Sequence, residues 1–225
     1  MGKKIYGIFV AGGSGTRMGG TTPKQFLLLN GVPVLQRTME VFKEAIPDMV
    51  LITVLPKAHF QLWKDLCLEY SFDCPHILAA GGITRFHSVK NALEHVPDGA
   101  VVMIHDGVRP LVSGALVKKM ASMMDDCQAL IPVIPVVDTL RSKTAGEPAP
   151  DRSAIVAVQT PQVFQSECIK DAYDQAFDTS FTDDASVAER KNIPISMTDG
   201  EKFNLKITTP DDLLMAEAIL QLRQA

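Results

Sequence analysis

An α/β chain, built as a mostly parallel sheet with helices on both faces, is the fold class this sequence predicts. Three observations carry it. Short apolar runs of strand length alternate with segments of helical period. Three of those runs end in glycine, charge or both: "AGGSGTR", "AAGGITR" and "HDGVRP". No internal repeat or low-complexity tract interrupts the alternation. Ligands of such sheets bind in the crevice at the carboxyl ends of the strands. Three unusual endings on one edge therefore predict one shared site.

The elements follow in order. "KIYGIFVA" reads as a buried strand leading into a glycine loop. "PVLQRTMEVFKEA" places Leu35, Met39 and Phe42 on one helical face. "MVLITVL" is the next strand, and "HFQLWKDLCLEY" is a helix with Phe60, Trp63 and Leu66 or Cys67 inward. "HILAAGG" is a short strand before "RFHSVKNALEHV", a helix aligning Phe86, Val89, Leu93 and Val96. "AVVMIHDGVRP" is an apolar strand ending in charge, and Ser113 reads as the N-cap of a helix carrying Leu116, Met120 and Met123. The two prolines of "ALIPVIPVV" predict an edge or irregular strand. Residues 138–158 lack a helical period and hold "AGEPAP", which suggests a hairpin-like arm with a loose tip. Thr182 reads as the N-cap of a helix over "DDASVAE". "ISMTD" and "FNLKI" look like late strands. In the terminal helix Thr209 caps, Pro210 takes the first position and Asp212 completes a capping box.

Composition narrows the function classes. The chain has 225 residues, 46% of them hydrophobic, enough for one sizeable core; residues 1–225 are read as one domain. A net charge of -4 supplies no global basic field for nucleic acid, and no Lys/Arg cluster marks a membrane surface. The N-terminal apolar run is about eight residues, too short for a span, so a soluble cytoplasmic protein is expected. Cys67, Cys74, Cys127 and Cys168 form no C-x-x-C pair and read as free thiols.

The motifs carry the chemistry. Gly12, Gly13 and Gly15 let backbone amides approach an anion. The loop is neither a Walker A sequence nor a dinucleotide fingerprint, since position 18 is Met. Arg17 and Lys24 suit a triphosphate, with Lys24 fixed between Pro23 and an anchoring Phe26. Asp106 reads as a ligand for metal or ribose, as half of an ion pair with Arg109 or as a helix cap. Amides near Gly81 and Gly82 could read a base edge with Ser88. Lys206 sits between apolar neighbours and needs an anion or an acidic partner.

In order, "AGGSGTRMG…PKQF", "GGITRFHSV", "HDGVRP", "DTL", "QTPQVF", "TDDAS" and "NLKITTPDDL" resemble the 2-C-methyl-D-erythritol 4-phosphate cytidylyltransferase family of the nucleotidyltransferase superfamily, over nearly the whole chain. The resemblance implies a Rossmann-like fold and a reaction. The phosphate of methylerythritol phosphate attacks the α-phosphorus of CTP, and pyrophosphate leaves. It implies Arg17 and Lys24 as transition-state stabilisers; Ala11, Gly12, Gly13 and Gly15 around CTP; and Gly81, Gly82 and Ser88 at the cytosine. Asp106 would lie near ribose and metal, with Mg²⁺ held mainly through CTP phosphates. Arg109, Lys206, Thr160 and Thr182 would serve the second substrate. Thr139 and Arg152 lie on the arm, which by resemblance crosses to a partner and makes a homodimer with shared sites. Two positions depart: Ile83 replaces an acidic residue of some members, and Gly107 the more usual alanine, which could loosen that turn. A ribitol-5-phosphate cytidylyltransferase would share the fold, CTP and most motifs. "GGITRFHSVKNAL" and "TDDASVAE" favour the methylerythritol enzyme.

Overall fold

The computed structural model describes residues 2–13, 22–144 and 146–224. Its central sheet has the order β10-β7-β9-β6-β1-β4-β5, with β8 also paired to β7. The strands are β1 (Ile5–Val10), β4 (Val50–Leu55), β5 (His76–Ala80), β6 (Val101–Asp106), β7 (Ala129–Pro135), β8 (Val156–Val158), β9 (Gln162–Gln165) and β10 (Ser196–Asp199). A separate two-stranded ribbon joins β2 (Leu28–Leu29) to β3 (Val32–Pro33). β6, β1, β4 and β5 are mutually parallel, as are β7 and β10, while β9 runs antiparallel to both β6 and β7.

Both faces of this sheet are covered, which explains why its strands read as continuous apolar runs. Alternate side chains serve opposite cores. Phe9, Leu51, Leu55, Val101 and Met103 pack under α1 (Val34–Ala45), α2 (Phe60–Glu69) and α4 (Gly114–Met123). Ile8, Ile52, Val54, Val102 and Ile104 pack under α3 (Arg85–Leu93), α5 (Ser166–Tyr173) and α6 (Asp184–Glu189). A third cluster joins Leu29, Val108 and Ile207 to Ala216 and Ile219 of α7 (Pro210–Gln224). Leu35, Met39 and Phe42 are fully buried, as their spacing predicted. Ser113 caps α4 by accepting from the Leu116 amide at 3.0 Å, and Asp212 accepts from the Thr208 and Thr209 amides at 2.8 Å.

Five expectations change. β7 is irregular, as its prolines predicted, but it is not an edge. It changes partner from β9 to β8 along its length while β10 holds the other side. Pro132 falls at the change, where its carbonyl accepts from the Gln159 amide. "FNLKI" is not a strand: residues 203–207 run beside the sheet without ladder pairing, tied by the Ile207 amide to the Val108 carbonyl at 2.9 Å. α3 stops at Leu93, and Val96 is buried from the turn that follows. Asp183, not Thr182, caps α6. Its carboxylate accepts from the Ser186 amide while Ser186 Oγ accepts from the Asp183 amide. The arm is a hairpin only at its base, where Val133–Pro135 pair with Val156–Val158. Beyond that base no described residue of the arm is in a strand, and Arg152 opens a short 3-10 turn while donating to the Val137 carbonyl at 2.7 Å.

Candidate active site

The sheet's strand order reverses at β1, which lies between β4 and β6. The crevice expected at that switch point opens beyond Val10 and Asp106, which are register partners. Its walls include Ala11, Gly12, Gly13, Lys24, Gly82, Ile83, Thr84, Arg85, Ser88, Asp106 and Lys206. All three unusual strand endings therefore meet, as the sequence predicted. Arg17 and Gly15 lie outside the described residues.

The segment after the first loop is held firmly. Gln25, almost fully buried, donates to the Ala11 carbonyl at 2.8 Å. Phe26 is 3% exposed and stacks on Trp63, which anchors the turn as its sequence position implied. Lys24 donates to the Ile207 carbonyl at 3.1 Å, a contact spanning most of the chain. Gly107 stands in a closely packed turn. A Cβ there would meet Leu35 Cδ1 at 2.9 Å and Ala11 Cβ at 3.1 Å. Glycine here lets the Leu35 side chain and the Ala11 methyl group approach the turn closely.

Asp106 is the one carboxylate among the described wall residues. Its Oδ2 meets Arg109 Nε at 3.0 Å and Lys206 Nζ at 3.1 Å, so both ion-pair readings hold. Burial raises the pKa of Asp106, but Lys206, Arg85 and Arg109 outweigh that and hold it well below the usual carboxylate range. Beneath it, the Asp106 amide donates to Thr160 Oγ at 3.1 Å. His105 Nε2 faces the Arg109 carbonyl at 3.2 Å, and a carbonyl only accepts. Nε2 therefore carries the proton, and Thr160 donates its hydroxyl hydrogen to Nδ1 at 3.0 Å. Full burial, partly opposed by Asp106, lowers the His105 pKa to about 3. The Thr160 hydroxyl thus links His105 to the Asp106 backbone.

Gly81 ends β5 by donating its amide to the Leu55 carbonyl at 2.8 Å. Ser88 and Gly82 are paired with each other. Ser88 Oγ accepts from the Gly82 amide at 3.0 Å and donates to the Thr84 carbonyl at 2.9 Å. A Cβ at Gly82 would sit 2.4 Å from His87 Cβ, so only glycine permits this close turn. Ser88 and the Gly82 amide shape the wall. Ile83 beside them is 95% exposed.

One pair in the wall escaped the sequence reading. Arg85 makes a bidentate contact with Asp184 at 2.7 and 2.6 Å, and Tyr173 donates to the same carboxylate at 2.6 Å. Burial lowers the Arg85 pKa, yet Asp184 more than reverses this and leaves it raised. Both residues stand in motifs singled out above, but their local reading is a helix start. Thr182, Thr139 and Arg152 are exposed and are not among the wall residues.

The resulting cleft sets Lys24, Arg85 and Lys206 against Asp106 beside a glycine-rich backbone. Such a site suits a polyanion. Among the described residues no three His, Cys, Asp or Glu side chains form a metal cluster. A Mg²⁺ ion fits here only in the form that takes one carboxylate and completes its shell with substrate phosphate oxygens. No helix among the described residues is long and apolar enough to cross a membrane.

A family model described as 2-C-methyl-D-erythritol 4-phosphate cytidylyltransferase matches residues 5–222. A protein of that name from Bacteroides fragilis is 48% identical over 95% of this chain and 98% of its own length. One from Bacteroides thetaiotaomicron is 46% identical over the same shares. The crystal structure of 4-diphosphocytidyl-2C-methyl-D-erythritol synthase from Anaerococcus prevotii superposes with a TM-score of 0.82 at 28% identity, covering 98% of this chain and 100% of that one.

Proposed function

The chain belongs to the 2-C-methyl-D-erythritol 4-phosphate cytidylyltransferase family, and from that premise we propose how its cleft joins CTP to methylerythritol phosphate. The products are 4-diphosphocytidyl-2-C-methyl-D-erythritol and pyrophosphate. The observation that carries the reading is the set of cations at the β1/β6 switch point, gathered beside Gly12 and Gly13. A phosphate oxygen of methylerythritol phosphate attacks the α-phosphorus of CTP, and the bond to pyrophosphate breaks. The nucleophile is already anionic, so no general base is required. Catalysis is then positioning and charge stabilisation.

In this reading Lys24 and Arg17 stabilise the charge that builds on the α-phosphate and the leaving group. Lys206, held by Asp106, and Arg109 receive the second substrate's phosphate. Gly12 and Gly13 wrap the triphosphate. Mg²⁺ would neutralise phosphate charge, with Asp106 as its single protein carboxylate. Thr139 and Arg152 would reach a partner subunit's cleft through the arm, giving a homodimer. Thr182 would contribute from the α6 end, and the protein would work in the cytoplasm. Ribitol 5-phosphate is not favoured, since the relatives above are named for methylerythritol phosphate.

The test is pyrophosphate release from CTP with each polyol phosphate. A higher kcat/KM with methylerythritol phosphate is expected, and a higher value with ribitol 5-phosphate would overturn the assignment. Lys24→Ala should keep CTP binding and lose about 10²–10³ in turnover, the usual cost of one stabilising donor.

A further inference from the structure

Lys24 and Phe26 belong to one short 3-10 turn, so whatever fixes the Phe26 ring also fixes the lysine. Phe26 lies on Trp63 with ring centroids 5.9 Å apart and planes 17° from parallel. His59 packs edge-on against the same ring at 5.8 Å. Trp63 is the chain's only tryptophan and is 1% exposed. Its indole Nε1 lies 2.8 Å from His76 Nε2. The other ring nitrogen, Nδ1, is 2.8 Å from the Cys74 carbonyl.

These two contacts admit one protonation state. An indole N–H only donates, so His76 Nε2 must offer a lone pair. A carbonyl only accepts, so Nδ1 must carry the hydrogen. His76 is therefore the neutral Nδ1–H tautomer. An imidazolium would aim two N–H groups at each other across 2.8 Å. Burial lowers the His76 pKa, partly opposed by the Cys74 carbonyl. Lys64 and Cys67 from α2 and Asp73 line the same pocket as His76, and Cys74 in the turn before β5 is within reach of Lys43 and Glu40 from α1. On the neighbouring strand its register partner is the apolar Leu51. The Phe72 ring packs against it at 5.7 Å.

We propose that the Trp63–His76 hydrogen bond positions Lys24 through Phe26, and that a proton on His76 releases that hold. Trp63 and His76 are positioning residues, since neither touches the cleft. The proposal rests on Lys24 acting in the transfer step, as proposed above.

The full-length chain tests it, with Trp63 as a built-in reporter. Wild type and His76→Gln are compared between about pH 5 and pH 8, the range in which histidines titrate. Glutamine can accept from the indole and donate to Cys74, yet it does not titrate. Wild-type Trp63 fluorescence should fall on acidification. The kcat ratio of wild type to His76→Gln should fall with the same midpoint, by about tenfold or more, as displacing a catalytic group does. Amide-exchange protection of the Lys24–Leu27 segment, corrected for intrinsic pH dependence, should follow that midpoint in wild type and stay level in the variant. A fluorescence transition shared by both proteins would overturn the proposal. So would a wild-type transition that leaves kcat and segment protection unchanged. Trp63→Phe, which keeps a ring but no donor, gives a second arm: it should lose kcat at pH 8 with little change in the KM for CTP. Wild-type kcat in Trp63→Phe would refute the positioning role. Absence of pyrophosphate release in wild type would sink the functional reading, while fluorescence and exchange, which need no substrate, still decide this one.

Discussion

Replacing Asp184 with asparagine isolates the contact that ties the cleft wall to α6. The carboxylate is fully buried and accepts two short bonds from Arg85 and one from Tyr173. Asparagine keeps the shape but turns one acceptor into an N–H group facing the guanidinium. Removing one member of a buried ion pair costs about 3–5 kcal/mol, because the other charge stays desolvated. The Arg85 side chain is 29% exposed toward the cleft, so water offsets part of this and the lower end, about 3 kcal/mol, is expected. For a chain of this size each kcal/mol moves Tm by about 2–4 °C, predicting a drop of about 6–12 °C. Urea unfolding followed by Trp63 fluorescence gives the free energy, and calorimetry gives Tm. Replacing both residues by apolar ones, Arg85→Met with Asp184→Leu, should recover most of the loss. A cost below about 1 kcal/mol for Asp184→Asn would show that the pair is not the strut its geometry suggests.

Further predictions concern the core, acid stability and subunit sharing. Gly107→Ala should destabilise by at most about 1 kcal/mol, the low end for overpacking, since its tightest contact is the movable end of the Leu35 side chain; Leu35→Val should relieve it, and chemical denaturation of the single and double variants decides. His105 is favoured neutral when folded, so its contribution is full above the unfolded pKa of about 6.5 and is lost as pH falls toward the folded value of about 3. Between pH 7.5 and pH 5.0 this removes about 2 kcal/mol, which urea titrations at both pH values should show and His105→Asn should reduce. If the arm completes a partner's site, co-expressed Lys24→Ala and Arg152→Ala chains should regain turnover that neither homodimer has; sizing and assay of the mixed species would show no gain if each subunit works alone.

Much of this architecture is legible in the amino-acid sequence, for identifiable reasons. A strand buried on both faces has a composition signal, and a glycine or charge at its end is conspicuous against it; hence β1, β5 and β6 stand out with their cleft-facing tips. Phe26 is legible as an anchor because an aromatic two residues beyond a cleft lysine has few other places to go. Contacts made across the fold are not legible. Arg85 and Asp184 are 99 residues apart, and each has an adequate local explanation as part of a helix start. Lys206 does need an anion or an acid, as its apolar neighbours imply, yet the strand expected around it does not form, because residues 203–207 bury Asn204 and Ile207 without pairing in a ladder. Thr182 and Asp183 are both competent caps, and the choice turns on a reciprocal bond from Ser186 that spacing alone does not specify. The amide of Gly82 looks available to a ligand because sequence does not reveal that the Ser88 hydroxyl already occupies it.

The bond from Lys24 to the Ile207 carbonyl has a consequence for how the protein is made. Its ends are 183 positions apart. The Lys206–Asp106 contact and the Asn204 amide bond to the Thr160 carbonyl also come from that late segment. During synthesis β1, β4, β5 and β6 can pair and bury their apolar faces while this segment is still inside the ribosome. Closing so long a loop costs only a little more entropy than closing a short one, but it cannot begin until the loop exists. A nascent chain can thus possess the paired β6-β1-β4-β5 part of the sheet and no finished cleft. A segment late in the chain thus sets the positions of Lys24 and Lys206 in the cleft.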